Sequence, residues 1–260
     1  NLVMTTSDWH VQHAPAGPSW RTLGPEPLLD LLGRTLPYNV RYALAADALV
    51  ALAMVHAIDP GLVARRAPWL ATVLAAAAGA AFAPLPPAVA PTAAPGVDDL
   101  LTTVLGIAVA KGWKALDGDG PGRQLAVPGE HSLPPLALVP TAGGLRIERP
   151  LPLLAVRDAE PSVQAAVAHG TLVLNGLLRG ARVVVHDPRS LTFAVEAYLP
   201  VDGHHEDETE DEAEAALEAV RHGAPYAAGV LDCLRNPAVA RIYAAAHNLP
   251  APSRAREKEV

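Results

Sequence analysis

The sequence is poor in aromatic residues and in cysteine, and each shortage removes a class of function. Phe, Trp and Tyr make up 4% of the 260 residues, which disfavours a cofactor pocket built on aromatic stacking and an interface rich in aromatic hot spots. The single cysteine, Cys233, excludes an internal disulfide and any multi-cysteine zinc or iron–sulfur site held by this chain alone. A reducing compartment suits this usage, and we expect a cytoplasmic protein.

Common catalytic signatures are also absent. The chain has no Gly-rich phosphate loop, no G-x-G-x-x-G after a strand, no G-x-S-x-G elbow and no H-E-x-x-H. The run from Asp117 to Gly120 is similar to the start of a calcium loop, but Pro128 stands where that loop needs a bidentate carboxylate. Nucleotide-binding, serine-hydrolase and zinc-protease functions therefore lose their support.

Charge and hydropathy argue against nucleic-acid and membrane partners. The net charge is −7, and the basic residues are scattered instead of forming a face for phosphates. No basic segment followed by an apolar segment marks a secretory signal. The longest apolar stretch, 68–85, is mostly alanine, whereas a membrane-spanning helix needs about 20 strongly apolar residues. We expect a soluble protein whose partner is a small-molecule ligand.

Hydrophobic periodicity predicts a mainly α fold with a small antiparallel β patch, built as a single domain over 1–260. A chain with 50% hydrophobic residues can bury one large core. Apolar residues that recur every three or four positions predict long helices over Tyr38 to Ile58, Val97 to Leu116 and Pro161 to Leu178. We find no internal repeat.

Shorter segments complete this expectation. Prolines at helix starts predict helices from Pro25, from Pro60 toward Phe82 with a kink or break at Pro68, and from Pro237, with Val239, Ile242 and Tyr243 facing inward. A further helix should end near His222 and another should cover Tyr226 to Leu234. Alternating β-prone runs predict strands over Leu136 to Val139, Leu145 to Glu148, Leu153 to Val156, Arg182 to His186 and Ser190 to Leu199.

Two segments are predicted to lack regular structure. The proline-rich crossing 84–96 contains five prolines, which deny backbone donors to a helix or sheet. The acidic stretch 203–210 has little to bury, and we expect a flexible, solvated loop there. His204, His205 and Glu206 in that loop offer ligands for a divalent ion but lack a rigid frame.

Histidine, whose side chain can ligate a metal or exchange a proton, occurs ten times in the sequence. His56 follows an apolar run, where its ring either bonds a helix carbonyl or ligates haem or a metal in a cavity. His186 precedes the turn at Asp187, where its ring either bonds its own turn or projects into a cleft. We assign cofactor binding to His56 and His186; the cofactor and the metal ligands are unknown, and haem and a divalent metal are the candidates.

Titratable residues are concentrated in the C-terminal segment. The candidate catalytic residues are His222, Tyr226, Arg235, Arg241 and His247. An arginine fork binds a carboxylate in bidentate fashion, tyrosine donates a hydrogen bond and histidine exchanges protons. The alternative is that the arginines cap helix ends and pair with acids.

Two spacings in this segment point to pairs of side chains. Glu218 and His222 are four residues apart on one helical face, where the carboxylate and the imidazole either share a ligand or a proton, or form a surface pair. The spacing from Arg241 to His247 resembles the R-x(4–6)-H pattern of HEPN ribonucleases, with Ile242 where that pattern has a polar residue.

Two functions remain open at this point. The first is an enzyme with a histidine-containing interhelical pocket for a small, partly apolar molecule, including a haem- or metal-dependent oxidoreductase. The second is a non-catalytic module that binds a protein or a regulatory effector. We favour the enzyme, because ten histidines exceed what packing requires. The enzyme hypothesis predicts a pocket that brings one of His56, His186, His222 or His247 near Arg235 or Arg241.

Overall fold

The structure is a computed structural model, and it contains two antiparallel sheets flanked by helices. It describes the chain except residues 1–3, 7, 8, 18, 35, 37–39, 46, 47, 57–59, 84–95, 117–121, 131, 153, 154, 188, 202–205 and 250–260. The strands are β1 (Met4–Thr6), β2 (Trp9–Pro15), β3 (Arg41–Ala45), β4 (Ala48–His56), β5 (Lys114–Leu116), β6 (Arg123–Ala126), β7 (Leu136–Thr141), β8 (Gly144–Pro150), β9 (Arg182–Asp187) and β10 (Thr192–Pro200). The helices are α1 (Pro25–Leu32), α2 (Pro60–Ala80), α3 (Val97–Ala110), α4 (Pro161–Leu177), α5 (Glu206–Arg235) and α6 (Pro237–Ala246).

The expectation of a mainly α fold with a small β patch is wrong. The described residues form one sheet in the order β1-β2-β4-β3 and a second in the order β5-β6-β7-β8-β10-β9. Strands and helices contribute together to one main core, which includes buried residues of both sheets. The fold is therefore a mixed α+β architecture.

The predicted helix over Tyr38 to Ile58 is the source of this error. Its described residues form β3 and β4, which pair from Arg41 with Leu52 to Ala45 with Ala48. Both faces of this hairpin carry buried apolar side chains. One face contributes Tyr42, Leu49, Ala51 and Ala53 to the main core, and the other forms a second cluster of Ala43, Val50, Leu52 and Met54. A strand buried on both faces shows no polar alternation, so a periodicity argument cannot distinguish it from a buried helix.

Other helix predictions are confirmed within the described residues. Four helices lie where the sequence places them: α1, α2 with Pro68 inside it, α3 and α4. α3 is shorter than expected, since it ends at Ala110 instead of Leu116 and is followed by β5. The Asn236 side chain accepts hydrogen bonds from the amides of Ala238 and Val239 at the start of α6. α5 is one continuous helix of 30 residues with Pro225 inside it, where two helices were expected.

The two segments expected to be irregular have different outcomes. Residues 206–210 belong to α5, which corrects the prediction of a loop over 203–210; acidic side chains suit a helix N-terminus, since they interact favourably with its dipole. Residues 84–95 of the proline-rich crossing and 203–205 of the acidic stretch lie outside the described residues. The predicted hairpins β7–β8 and β9–β10 are confirmed, whereas the described part of 153–156 is not a strand.

The two halves of the chain share one topology, which the sequence did not reveal. In the N-terminal half, β1, β2, α1, β3, β4 and α2 follow one another, and the sheet order is β1-β2-β4-β3. In the C-terminal half, β7, β8, α4, β9, β10 and α5 follow one another, and the corresponding sheet order is β7-β8-β10-β9. By register, Arg41 opposite Leu52 corresponds to Arg182 opposite Glu196.

The halves meet along a seam formed by the edge strands β3 and β9 and the helices α1 and α4. α4 packs against β3 of the other half, and α1 packs against both α4 and β9. The buried Asn175 side chain of α4 donates hydrogen bonds to the carbonyls of Tyr42 and Val183, each at 3.1 Å, and accepts one from the Val183 amide. The seam is thus joined by polar bonds as well as by apolar packing.

No helix in the described part of the chain is long and apolar enough to cross a membrane.

Candidate functional site

A groove lies between the C-terminal end of α4 and the middle of α5. Its volume is about 570 Å³, and it is lined by Leu177, Leu178, Arg179, Ala215, Glu218, Ala219, His222, Gly223 and Tyr226. Two of the five candidate catalytic residues, His222 and Tyr226, are in this set. The groove therefore brings together part of the predicted site.

The polar wall of the groove is a stripe along α5. Glu218, His222 and Tyr226 follow one another at intervals of four residues, so they lie on one face of the helix. His222 Nε2 lies 3.2 Å from Glu218 Oε2. The carboxylate thereby holds one ring nitrogen of His222, and the other nitrogen is left for a second partner.

Glu218 is held in place by cations from its surroundings. Lys111 Nζ lies 3.0 Å from Glu218 Oε1, and Arg221 Nη1 lies 3.3 Å from Oε2. Burial by itself raises the pKa of Glu218, but the hydrogen bond from Lys111 and the attraction of Lys111, Arg221 and His222 outweigh it and hold the pKa below its usual value. Glu218 therefore stays ionised at neutral pH and orients His222 as a carboxylate.

Arg221 connects this stripe to the six-stranded sheet. Its Nε donates a hydrogen bond of 3.0 Å to Glu130, and Glu130 also pairs with the buried Arg149 of β8. The Arg221 guanidinium carbon lies 5.9 Å from the Trp113 ring centroid. These contacts fix the α5 backbone next to the groove.

Gly223 brings α5 close to the sheet and to the end of α4. A Cβ at this position would lie 3.3 Å from Val195 Cγ1 and 3.5 Å from Leu178 Cδ2. Either distance leaves little room for a larger residue. The close approach places His222 and Tyr226 beside Leu177 and Leu178, which form the apolar wall.

Both walls of the groove are accessible to solvent. The exposed fraction is 59% for Leu177 and 53% for Tyr226, and the His222 side chain is 73% exposed. Two large apolar side chains this exposed at one site favour a binding role.

No protein-family model matches the chain, and no significant match to a curated protein or to a solved structure was found. The function has to be argued from the site itself.

The other candidate residues are not in the lining of this groove. Arg235 lies 3.4 Å from Asp232 one turn earlier in α5. Arg241 is exposed and lies 3.3 Å from Glu160, the residue before α4. Both arginines therefore make the acidic contacts that the pairing alternative describes.

His247 belongs to a separate ring cluster between α4 and α6. Its ring centroid is 4.3 Å from that of Tyr243 and 5.0 Å from that of His169. His169 Nδ1 lies 2.9 Å from the Tyr243 hydroxyl, and Trp20 packs 4.6 Å from the His169 ring. Burial raises the pKa of the Tyr243 hydroxyl. Sequence reasoning missed His169, because it lies inside an apolar helix with no accompanying motif.

The two residues assigned to a cofactor lie on different sheets. His56 ends β4, where it pairs with Trp9, and it does not end a helix as expected. His186 is an exposed residue of β9. Among the described residues, no group of three or more His, Cys, Asp and Glu side chains is arranged to hold a metal ion. The described part of the chain therefore shows no cluster of metal ligands around either of these two histidines.

Proposed function

We propose that the protein binds a small, partly apolar molecule in the groove between α4 and α5, and that His222 exchanges a proton with it. The observation that carries this proposal is the stripe of Glu218, His222 and Tyr226 facing an apolar wall. We keep a cytoplasmic location as part of the proposal, because the one cysteine, Cys233, is free and exposed.

The size and lining of the groove support a small-molecule ligand. Its volume of about 570 Å³ lies within the range of about 300 to 1,000 Å³ that small-molecule sites occupy. Such sites combine apolar walls with a few polar groups that orient the ligand. Leu177, Leu178 and Ala219 supply the walls, and Glu218, His222 and Tyr226 supply the polar groups.

The chemistry of the stripe supports proton transfer. An ionised carboxylate that holds one nitrogen of an imidazole fixes the orientation of the ring and directs its other nitrogen toward a ligand. Tyr226, one turn further along α5, adds a hydroxyl donor and a ring for apolar contact. This arrangement suits a general base or acid, and it makes an enzyme the better of the two hypotheses.

A binding experiment tests the site without knowledge of the natural ligand. Anilinonaphthalene sulfonate is a dye with apolar rings, and these rings match the apolar wall of the groove. We expect Tyr226→Ala to weaken its binding about tenfold, since this loses roughly 1.4 kcal/mol of contact. Ala219→Phe should block binding by filling the groove. His186→Ala is the control, because His186 is exposed but does not line the groove.

A rate measurement tests the proton transfer. p-Nitrophenyl acetate is a small aromatic ester whose hydrolysis reports on an activated imidazole. His222→Ala should remove most of the protein-dependent rate, while His186→Ala should leave it unchanged. Equal losses in the two variants, or dye binding that survives Tyr226→Ala and Ala219→Phe, would refute the proposal.

The alternative is an interaction module, and one observation favours it. The groove is open, and Leu177 and Tyr226 are more than half exposed, as in sites that take a partner's side chains. If the dye binds at the groove but His222→Ala hydrolyses the ester at the normal rate, the groove binds without catalysing proton transfer.

A further inference from the structure

The seam contains two arginines at equivalent positions of the two halves. Arg41 is the first residue of β3, and Arg182 is the first residue of β9. Arg41 Nη1 donates a hydrogen bond to the carbonyl of Ala181, the residue before Arg182. Arg182 Nη1 donates one to the carbonyl of Val40, the residue before Arg41. The two side chains thus make reciprocal contacts across the seam.

The second edge of each guanidinium has a different environment. Nε and Nη2 of Arg182 both donate to Oε1 of Glu196, with a distance of 2.8 Å from Nε. Glu196 is the residue directly opposite Arg182 on the neighbouring strand. The corresponding residue opposite Arg41 is Leu52, which cannot accept a hydrogen bond.

The Nε and Nη2 edge of Arg41 is therefore unmatched in the described part of the chain. Its Nε and Nη2 are buried and have no hydrogen-bond partner among the described residues, and the residue is 1% exposed. Burial, followed by repulsion from Arg182, lowers the pKa of Arg41 to about 9. The side chain still carries its charge at pH 7, and a buried charge without a counter-ion is strongly destabilising.

We infer that Arg41 forms an anion site, in which a carboxylate supplied by a small-molecule ligand binds to Nε and Nη2 as the Glu196 side chain binds to Arg182. The planar fork of a guanidinium matches two carboxylate oxygens in bidentate fashion. Leu52, Ala43, Val50 and Met54 form the apolar surroundings on the same face of the sheet, so water competes poorly for the charge. This site is independent of the groove beside α5.

Thermal unfolding in matched salts tests this inference. The full chain is equilibrated with sodium acetate or with sodium chloride at the same ionic strength, and inorganic phosphate is a third arm. Acetate should raise the melting temperature by about 3 °C over chloride when it is present well above its dissociation constant. Arg41→Met should lose this difference between the two salts. A response to phosphate equal to that of acetate would show a general oxyanion site and would overturn the preference for a carboxylate.

A substitution on the opposite strand gives an independent test. Leu52→Glu places a carboxylate where the other half has Glu196, and Leu52→Gln is a control of the same shape without the charge. The inference predicts that Leu52→Glu melts several degrees above Leu52→Gln and no longer responds to acetate. If Leu52→Glu melts no higher than Leu52→Gln, the inference is wrong. If Leu52→Glu stabilises the protein but acetate does not stabilise the original protein, a carboxylate fits beside Arg41 but none is taken up from solution. This result would also refute an external ligand.

Discussion

The two halves of the molecule share a strand order but differ in how they treat buried charge. In the C-terminal half, Arg182 is matched by Glu196, and Glu196 Oε2 also lies 3.7 Å from Arg146. In the N-terminal half, the equivalent Arg41 faces Leu52, and the same face of the sheet is an apolar cluster. The common topology therefore fixes the backbone contacts of the two arginines, while the residue on the opposite strand decides whether the charge is neutralised.

The halves also differ in what they carry at their surfaces. The candidate groove belongs to the C-terminal half, since it is formed by α4 and α5. The equivalent helix of the N-terminal half, α2, accepts a hydrogen bond of 2.8 Å from the Tyr42 hydroxyl at the Ala77 carbonyl and packs on its own sheet. Both helices therefore pack on their own sheets, and the groove proposed to bind a ligand is formed by α5 together with the end of α4.

The largest expected effect comes from making the C-terminal seam resemble the N-terminal one. Glu196→Leu removes the partner of the buried Arg182 and should cost about 3 to 5 kcal/mol in the free energy of unfolding. Urea unfolding at pH 7, followed by circular dichroism, measures this loss. The double variant Arg182→Met with Glu196→Leu should recover part of it, because no buried charge then lacks a partner. A loss below about 1 kcal/mol in Glu196→Leu would mean that unmatched arginines are tolerated here.

A smaller effect is expected at the bond that joins the halves. Asn175→Ala removes the hydrogen bonds to Tyr42 and to Val183 and should cost about 2 to 3 kcal/mol, since it leaves buried backbone groups unpaired. Thr171→Ala is the matched control in the same helix, because the Thr171 hydroxyl bonds only the Val167 carbonyl among the partners described for it. The control should cost less than about 1.5 kcal/mol in the same urea experiment. Similar costs for both variants would show that the seam gains nothing special from Asn175.

The smallest effect is expected at Glu130, and it depends on pH. Burial raises the pKa of Glu130, but the hydrogen bonds from Arg149 and Arg221 outweigh this and hold it below its ordinary value of 4.5. A lowered folded pKa stabilises the protein above the unfolded value, and this stabilisation is lost as the pH falls through the folded pKa. Glu130→Gln should therefore reduce stability at pH 7 by about 1 to 2 kcal/mol and lose this difference toward pH 3.

The exposed Glu214 provides the control for this pH series. Its side chain is 54% exposed and lies 2.6 Å from Lys111. Glu214→Gln should change stability by less than about 1 kcal/mol at either pH, since exposed ion pairs contribute little. Two parallel pH curves for Glu130→Gln and the original protein would contradict the expected linkage.

Sequence reasoning was most successful where a local signal decides the structure. Pro25 at the start of α1 and Pro237 at the start of α6 placed those helices correctly. The failure over Tyr38 to Ile58 has a physical cause, because both faces of β3 and β4 are buried and remove the alternation on which a strand prediction depends. Of the three α6 residues expected to face inward, Tyr243 packs against the core, whereas Val239 is 41% exposed and Ile242 is 71% exposed.

The candidate site was predictable only in part. The spacing of Glu218 and His222 indicated a pair on one helical face, and the two side chains are in contact. Arg179 and Leu177 come from the end of another helix, and contacts between distant segments leave no local pattern in one sequence. The topology shared by the two halves was also hidden, because equivalent positions hold different residue types. Leu52 and Glu196, for example, lie at the same position of the topology, but one is apolar and the other is acidic.

The exchange of helices across the seam has a consequence for the order of folding. α4 covers β3, so the N-terminal sheet cannot complete its packing until residues 161–177 have been synthesised. At about 5 to 20 residues per second, the edge of β3 waits on the order of 10 s during translation before α4 exists. An unpaired apolar strand edge is a site for association with other chains during that time. We therefore expect the nascent N-terminal half to be the stage of synthesis at which association with other chains is easiest.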